Sequence, residues 1–169
     1  MTRQTMGIHK MGAQPKDALR QAIEELRRTH AGYSDGHERE WTEAVRHALT
    51  HVVHGLQKGV AANYAPDGPL TPVDPTWPTM AREAKVLSED EGRELQHAVE
   101  LQEKMREAAD DLAEKGGIGN PPDKNAQGKV ESLYQEVKEF LAELQHIKET
   151  ESRLVVESVN VDIGGEAGA

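Results

Sequence analysis

Two copies of the tetrapeptide ELQH have the residue types and spacing that most directly suggest chemistry. They place Glu94 three residues before His97, and Glu143 three residues before His146. A Glu-x-x-His pair on each of two helices, completed by a Glu from each of two others, is the ligand set that holds two metal ions in di-iron helical bundles. The spacing therefore makes these four side chains candidate iron ligands.

Helical phase argues against one site shared by the two motifs. At 100° per residue, Glu94 lies about 20° and His97 about 80° from the centre of the apolar stripe of its helix. On the later helix, Glu143 lies about 120° and His146 about 180° from the centre. We therefore predict that the first motif faces inward and the second outward, that no di-iron site forms, and that Glu94 and His97 remain metal candidates by themselves.

A histidine-rich stripe is the second candidate site. The stretch EREWTEAVRHALTHVVHG places Glu40, Glu43, His47, His51 and His54 on one helical face. Histidines at i and i+4 can chelate zinc. This face lies roughly 150° from the middle of the apolar side, so it points away from the chain's own core. Three interpretations remain open: a zinc site, a solvated polar face, and an interface with a partner.

Other catalytic patterns are missing from the sequence. The serines lie in no nucleophile elbow, and no glycine-rich phosphate loop follows a strand. The chain has no cysteine, which excludes disulfides and thiolate chemistry. We predict that the chain has no catalytic residue of its own and is not a self-sufficient enzyme.

Composition indicates the elements that must position these residues. The chain has 169 residues, of which 4% are aromatic and 30% are charged. This composition favours an all-α protein with one helical domain over 1–169, packed with Ala, Leu and Val. The start MTRQTMGIHKM has no apolar segment typical of a signal peptide, and no apolar run is long enough to span a membrane. A cytoplasmic protein without membrane contact is therefore predicted.

The net charge of −10 is unevenly placed. Residues 1–60 carry nine Lys and Arg against seven Asp and Glu, whereas the remainder carries eleven against twenty-three. An acidic body argues against nucleic acid as a ligand, because such binding requires basic residues facing phosphates.

Apolar residues at helical spacing predict an N-terminal helix pair over 15–58 and a helical hairpin over 79–150. Pro15 is typical of a first helical position. A capping box of Asp35 and Glu38 predicts the start of the second helix. The inward residues of these two helices are Ala18, Leu19, Ala22, Ile23, Leu26, Trp41, Val45, Ala48, Val52 and Leu56.

A short helix over 78–87 is predicted to precede the two long helices of the hairpin. A second capping box, Ser88 with Glu91, predicts the start of its first long helix. Glycines and prolines in EKGGIGNPPDK end that helix. The last helix is predicted from about residue 125 to 150. The inward residues of the hairpin are Leu101, Met105, Leu112, Val130, Leu133, Val137, Leu141 and Leu144.

The segment PDGPLTPVDPTWP has a proline at every third position from 66 to 78. Proline suits neither a helix interior nor a central strand, but it does suit a polyproline II conformation. We expect a proline-rich arm over 59–78 that extends along a partner, with Leu70, Val73 and Trp77 as partner-binding candidates.

The stretch RLVVESVNVDI alternates apolar and polar residues near the end of the chain. Alternation of this kind predicts a strand within an extended tail over 151–169. A lone strand must find its hydrogen bonds elsewhere, so Val159 and Val161 are candidates for pairing with another chain. A frayed tail is the alternative. The predicted fold is thus an irregular all-α subunit with a hairpin, an arm and an extended tail.

Four short stretches, in order, resemble one family. They are GIHKM, LRRTHAGYS before the helix that carries Trp41, EKGGIGNPPDK, and RLVVESV. Together they resemble the gamma subunit of soluble methane monooxygenase hydroxylase and related bacterial multicomponent di-iron monooxygenases. The resemblance implies a non-catalytic accessory subunit that docks on a large iron-bearing subunit, beside a beta-type subunit, in a hetero-oligomer that oxidises hydrocarbons. In that family the di-iron centre belongs to the large subunit, so the resemblance implies no cofactor in this chain.

A second function remains open: a free-standing helical metal-binding or interaction protein. A structural protein of a virion, or an accessory chain similar to that of nitrile hydratase, is also compatible with the sequence. Neighbouring genes for a large Glu-x-x-His subunit, a reductase and a small coupling protein would favour the monooxygenase subunit.

Overall fold

The computed structural model describes residues 15–71, 77–115 and 124–164. They form four helices: α1 (Pro15–Ala31), α2 (Glu38–Asn63), α3 (Pro78–Lys115) and α4 (Lys124–Gly164). These ranges contain no strand. The predicted all-α class is confirmed.

Consecutive helices run in opposite directions. Glu25 of α1 is hydrogen-bonded to His51 near the middle of α2, and the Cα of Leu19, six residues earlier, lies against Gly55. Glu83 near the start of α3 pairs with Arg153 of α4, whereas Asp111 near the end of α3 pairs with Lys129 near the start of α4. α1 also packs on α4, so the four helices surround a shared core.

The main core is built from the apolar stripes that the sequence predicts. Amphipathic helices bury such stripes because removing apolar surface from water is favourable. Of the predicted inward side chains, Ala18 and Leu112 are only partly buried. The others are buried: Leu19, Ala22, Ile23, Leu26, Trp41, Val45, Ala48, Val52, Leu56, Leu101, Met105, Val130, Leu133, Val137, Leu141 and Leu144.

A second, smaller core lies beyond the N-terminal end of α1, beside the C-terminal end of α2. At 1.5 Å per residue, α3 and α4 reach about 57 and 61 Å, whereas α1 reaches only about 26 Å. The extra length of α3 and α4 is packed by Leu87, Ile147 and Leu154, together with Leu70 from the α2–α3 connection. Both long helices are therefore covered by the second core beyond the level of Pro15, where α1 begins.

Neither capping box forms. The helix α2 begins at Glu38 with His37 as its N-cap, and Glu38 Oε1 accepts a hydrogen bond from the Gly36 N–H instead. Ser88 lies inside α3, which runs without a break from Pro78. The predicted short helix over 78–87 and the long helix that follows are one element. Leu87 and Ala98 are both buried on either side of Ser88, so packing favours continuity.

The first half of the proline-rich segment is a turn, not an extended arm. Leu70 N–H donates to the Asn63 carbonyl at 3.0 Å, and Gly68 N–H donates to Ala65 at 2.7 Å, which fold the chain back onto the end of α2. Pro78 begins α3, a position where its missing N–H costs nothing. Residues 72–76 lie outside the described residues.

The predicted extended tail is wrong for residues 151–164, which continue α4 as helix. Glu151 and Leu154 are buried, so the apolar stripe of α4 extends past residue 150 and tertiary packing outweighs the alternating pattern. Within the described ranges, no helix combines the length and the apolar character needed to cross a membrane.

Candidate functional site

Glu94, His97 and Glu143 converge between α3 and α4, and we call them the α3–α4 cluster. His97 Nδ1 lies 3.6 Å from Glu94 Oε2 and 3.7 Å from Glu143 Oε2. One potential ligand atom of each residue lies within 4.8 Å of the other two. Glu94 and His97 are partly buried and Glu143 is half exposed, so the cluster opens to solvent on one side.

The other ring nitrogen of His97, Nε2, is hydrogen-bonded to Glu136. The Nε2 atom lies 3.4 Å from Glu136 Oε1, and Lys104 Nζ lies 2.6 Å from the same oxygen. Burial acts to raise the pKa of Glu136, but hydrogen bonds and charge from Lys104 and His97 outweigh it and lower that pKa. Phe140, which is fully buried, packs its ring across the imidazole at 5.1 Å between centroids.

Within the cluster, the surroundings of Glu94 disfavour the ionised form of its carboxyl group. Its pKa is raised first by burial and then by the charge of Glu143, while His97 partly opposes the shift. Its Oε2 atom is buried and has no hydrogen-bond partner. A carboxylate oxygen in that position is stabilised only by a proton or a cation.

Glu143 and His146 are both exposed, as predicted, but the carboxylate of Glu143 still comes within 3.7 Å of His97, whereas His146 lies outside the cluster. A residue 120° from the apolar stripe still faces the flank of its helix, and α3 lies along that flank. The long Glu143 side chain reaches Glu94 from there. The described residues thus assemble three of the four ELQH ligand groups, not the paired set that holds two irons.

A second convergence lies on the surface between α1 and α2, and we call Glu25, His47 and His51 the surface triad. His51 Nδ1 lies 2.7 Å from Glu25 Oε2, and the two imidazoles are 4.7 Å apart between centroids. Of the predicted histidine stripe, His54 is exposed and lies outside the triad. Glu25 was missed because its approach depends on how α1 packs, which no pattern in α2 indicates.

A buried polar cluster, also missed from the sequence, lies beside the second core. Asn63 Nδ2 donates to Glu151 Oε1 at 2.8 Å, and Lys148 Nζ is 2.6 Å from Glu151 Oε2. Burial, reinforced by the charge of Glu151, raises the pKa of Glu91 to about 7. Burial and then Glu91 also raise the pKa of Tyr64 well above its ordinary value. The sequence signal that could have indicated this cluster is an acidic residue at an inward position of a helix, as at Glu91 and Glu151.

The predicted partner-binding residues separate into three groups. Leu70 is buried in the second core at 4% exposure, so its prediction as a surface contact is wrong. Trp77 and Val159 are each 51% exposed. Val73 and the side chain of Val161 lie outside the described part of the chain.

The three polar groupings differ in what they can do chemically. The α3–α4 cluster and the surface triad offer the imidazole and carboxylate ligands that divalent transition metals accept. The buried polar cluster includes Lys148, whose charge opposes a second cation. No protein-family model matches this chain, and comparison with curated proteins and with solved structures likewise gives no match.

Proposed function

We propose that this chain is a gamma-like accessory subunit of the hydroxylase component of a soluble di-iron monooxygenase that acts on alkanes, alkenes or methane. It docks on the large iron-bearing subunit and stabilises it, beside a beta-type subunit. The di-iron centre and the catalytic residues belong to the large subunit. In this proposal the complex is cytoplasmic and binds neither nucleic acid nor membrane.

The observation that carries the proposal is a group of exposed apolar side chains at one end of α3 and α4, which we call the docking end. Its members are Trp77, Val156 and Val159, of which Val156 is 60% exposed. Arg153 Nη1 pairs with Glu83 Oε2 at 3.1 Å across the two helices. Trp77 precedes Glu83 by six residues and Val159 follows Arg153 by six, so the two apolar side chains lie at the same level of this antiparallel pair.

The chemistry of the docking end suits a protein partner. Trp77 lines a shallow cleft with Met80, Glu83, Arg153 and Glu157, so an apolar anchor is surrounded by charged side chains. Buried tryptophans framed by polar residues contribute a large share of the binding energy in protein interfaces. The resemblance to gamma subunits supplies the identity of the partner.

The finer features of the predicted fold belong to this proposal as well. These features are a helical hairpin formed by residues 79–150 and a contact between the proline-rich segment and the partner. Because residues 66–71 fold onto α2, that contact is restricted to residues 72–78.

Co-expression with the large subunit encoded beside this gene tests the proposal. We expect a stable complex, and we expect Trp77→Ala and Val159→Asp each to weaken it about tenfold or more, the size of a typical interface hot spot. Val99→Asp is the matched control, because Val99 is also 51% exposed but lies in the middle of α3. Unchanged affinity in both docking-end variants, or the lack of any such neighbouring gene, contradicts the proposal.

A free-standing helical metal-binding or interaction protein is the second candidate. The α3–α4 cluster is the observation that favours it, because it offers carboxylate and imidazole groups without any partner. A purified chain that binds metal and forms no complex with a monooxygenase large subunit would support this second function.

A further inference from the structure

We infer that the α3–α4 cluster is a binding site for one divalent transition-metal cation of the Zn²⁺ type, with Glu94 Oε2, His97 Nδ1 and Glu143 Oε2 as ligands. This inference goes beyond the proposed docking function and does not depend on it. A single cation here differs from a di-iron centre, since His146 is exposed and takes no part.

The first argument is the orientation of His97. Lys104 Nζ donates to Glu136 Oε1 at 2.6 Å, and a carboxylate oxygen paired with an ammonium group is an acceptor, so the Nε2 atom of His97 must donate the 3.4 Å hydrogen bond to it. In the neutral imidazole, Nδ1 then carries a lone pair. An outer carboxylate that orients a histidine in this way is a regular feature of metal sites.

The second argument is that only acceptors face the gap. Nδ1 of His97 lies 3.6 Å from Glu94 Oε2 and 3.7 Å from Glu143 Oε2, and neither carboxylate carries a donor when ionised. Glu94 Oε2 is buried without a hydrogen-bond partner. Three lone pairs directed at one gap are what a cation requires.

The dimensions agree with a small cation. With Zn–N and Zn–O bonds of about 2.0–2.2 Å, adjacent tetrahedral ligands lie roughly 3.3–3.6 Å apart. The distances from His97 to the two carboxylates, 3.6 and 3.7 Å, lie at the upper end of this range, and a small side-chain rotation can shorten them. Three protein ligands with an open side leave room for a water molecule as the fourth ligand.

The competing explanation is an added proton, either a second one on His97 or one on Glu94, that is shared with a neighbouring carboxylate of the cluster. The two explanations differ in measurable ways. A proton gives no dependence on metal concentration, whereas a cation bound only by the folded chain raises its melting temperature with increasing metal.

The surface triad must be removed before the test, since His47 and His51 can also bind zinc. The parent protein is therefore the full chain carrying His47→Ala and His51→Ala. Both side chains are exposed, so the substitutions leave the core unchanged. Calorimetric titration with Zn²⁺ at pH 7.5 is expected to show one strong site per chain in this parent.

Substitutions in the α3–α4 cluster then assign the site. We expect Glu143→Gln and His97→Gln to weaken Zn²⁺ binding at least tenfold and to abolish the metal-dependent rise in melting temperature. Glu139→Gln, an exposed residue one turn earlier on α4, is expected to bind Zn²⁺ as the parent does. Co²⁺ absorption in the visible region provides a second readout of the same site.

Glu143 is half exposed, so we expect Glu143→Gln to keep the fold. This variant therefore tests the proposed site even if His97→Gln does not fold. The apo form of Glu143→Gln should melt at the same or a higher temperature than the parent, because a repulsion with Glu94 is removed. Absence of Zn²⁺ binding in the parent overturns the inference. Binding that survives Glu143→Gln unchanged overturns it as well.

Discussion

Two inward-facing glutamates give α3 its unusual chemistry at the scale of single residues. Glu91 is 3% exposed and Glu94 is partly buried, and each faces a carboxylate of α4. Burial and a neighbouring negative charge both disfavour ionisation. The two positions differ in surroundings, since Glu91 lies in the closed second core whereas the cluster around Glu94 opens to solvent.

Glu91 predicts a pH dependence of stability. Its pKa of about 7 in the folded protein exceeds the ordinary value of 4.5, so the folded chain holds an extra proton between these values. The stability from this proton is fully present below pH 4.5 and is lost as pH rises through about 7. The shift corresponds to roughly 3 kcal/mol.

Urea unfolding of the wild type and Glu91→Gln at pH 5 and pH 8 measures this effect. The wild type should lose more free energy of unfolding between the two pH values than the variant, by roughly 2–3 kcal/mol. Glu94 is present in both proteins, so its own titration cancels in the comparison. An equal pH dependence in both would contradict the raised pKa of Glu91.

At the scale of elements, the crossing of α1 and α2 rests on one glycine. A Cβ at Gly55 would lie 2.8 Å from the Cα of Leu19, which is backbone and cannot rotate away. A Cβ at Gly59, one turn later on the same helix, would meet nothing within 4 Å. A substitution at Gly55 therefore tests the close packing of the two helices, whereas one at Gly59 tests helix propensity alone.

Gly55→Ala and Gly59→Ala should consequently have opposite effects. We expect Gly55→Ala to lower the free energy of unfolding by about 1–3 kcal/mol, because the two helices must move apart. Gly59→Ala should raise it by about 0.5–1 kcal/mol, because alanine loses less backbone entropy in a helix. Thermal or urea denaturation of the pair checks this, and stabilisation in both would show that the helices do not approach closely at Gly55.

At the scale of the whole molecule, the long helices need the second core. That core joins the α2–α3 connection to both α3 and α4 through Leu70, Leu87, Ile147 and Leu154. Leu70 is thus part of the fold, although the sequence placed it on a partner-binding arm.

Leu70→Ala should lower the free energy of unfolding by about 2–4 kcal/mol, the usual cost of removing a buried leucine side chain. Asp67→Ala, an exposed change in the same turn, should alter it by less than about 0.5 kcal/mol. Chemical denaturation of the isolated chain measures both values. A neutral Leu70→Ala would return this residue to the surface and restore the predicted arm.

Local sequence patterns account for the helical class and for most of the main core, although Leu49, Ala98, Ala108 and Phe140 were not among the predicted inward residues. Apolar residues recur at helical spacing, and this recurrence is a local property that survives in any packing arrangement. Pro15 as the first residue of α1 and the end of α3 at Lys115 were also readable, since proline and glycine act on the backbone directly.

The tertiary structure alone decided the helix boundaries at Ser88 and at residue 150, and the membership of the sites. A capping signal is worth about 1 kcal/mol, so the burial of Leu87 outweighs the one at Ser88 and α3 continues through it. The burial of Leu154 likewise outweighs the alternating pattern after residue 150 and extends α4. Glu143 and Glu25 joined histidines on neighbouring helices because of where those helices pack. Helical phase gives the direction of a side chain relative to its own helix, whereas the position of the neighbouring helix depends on the packing of the whole core.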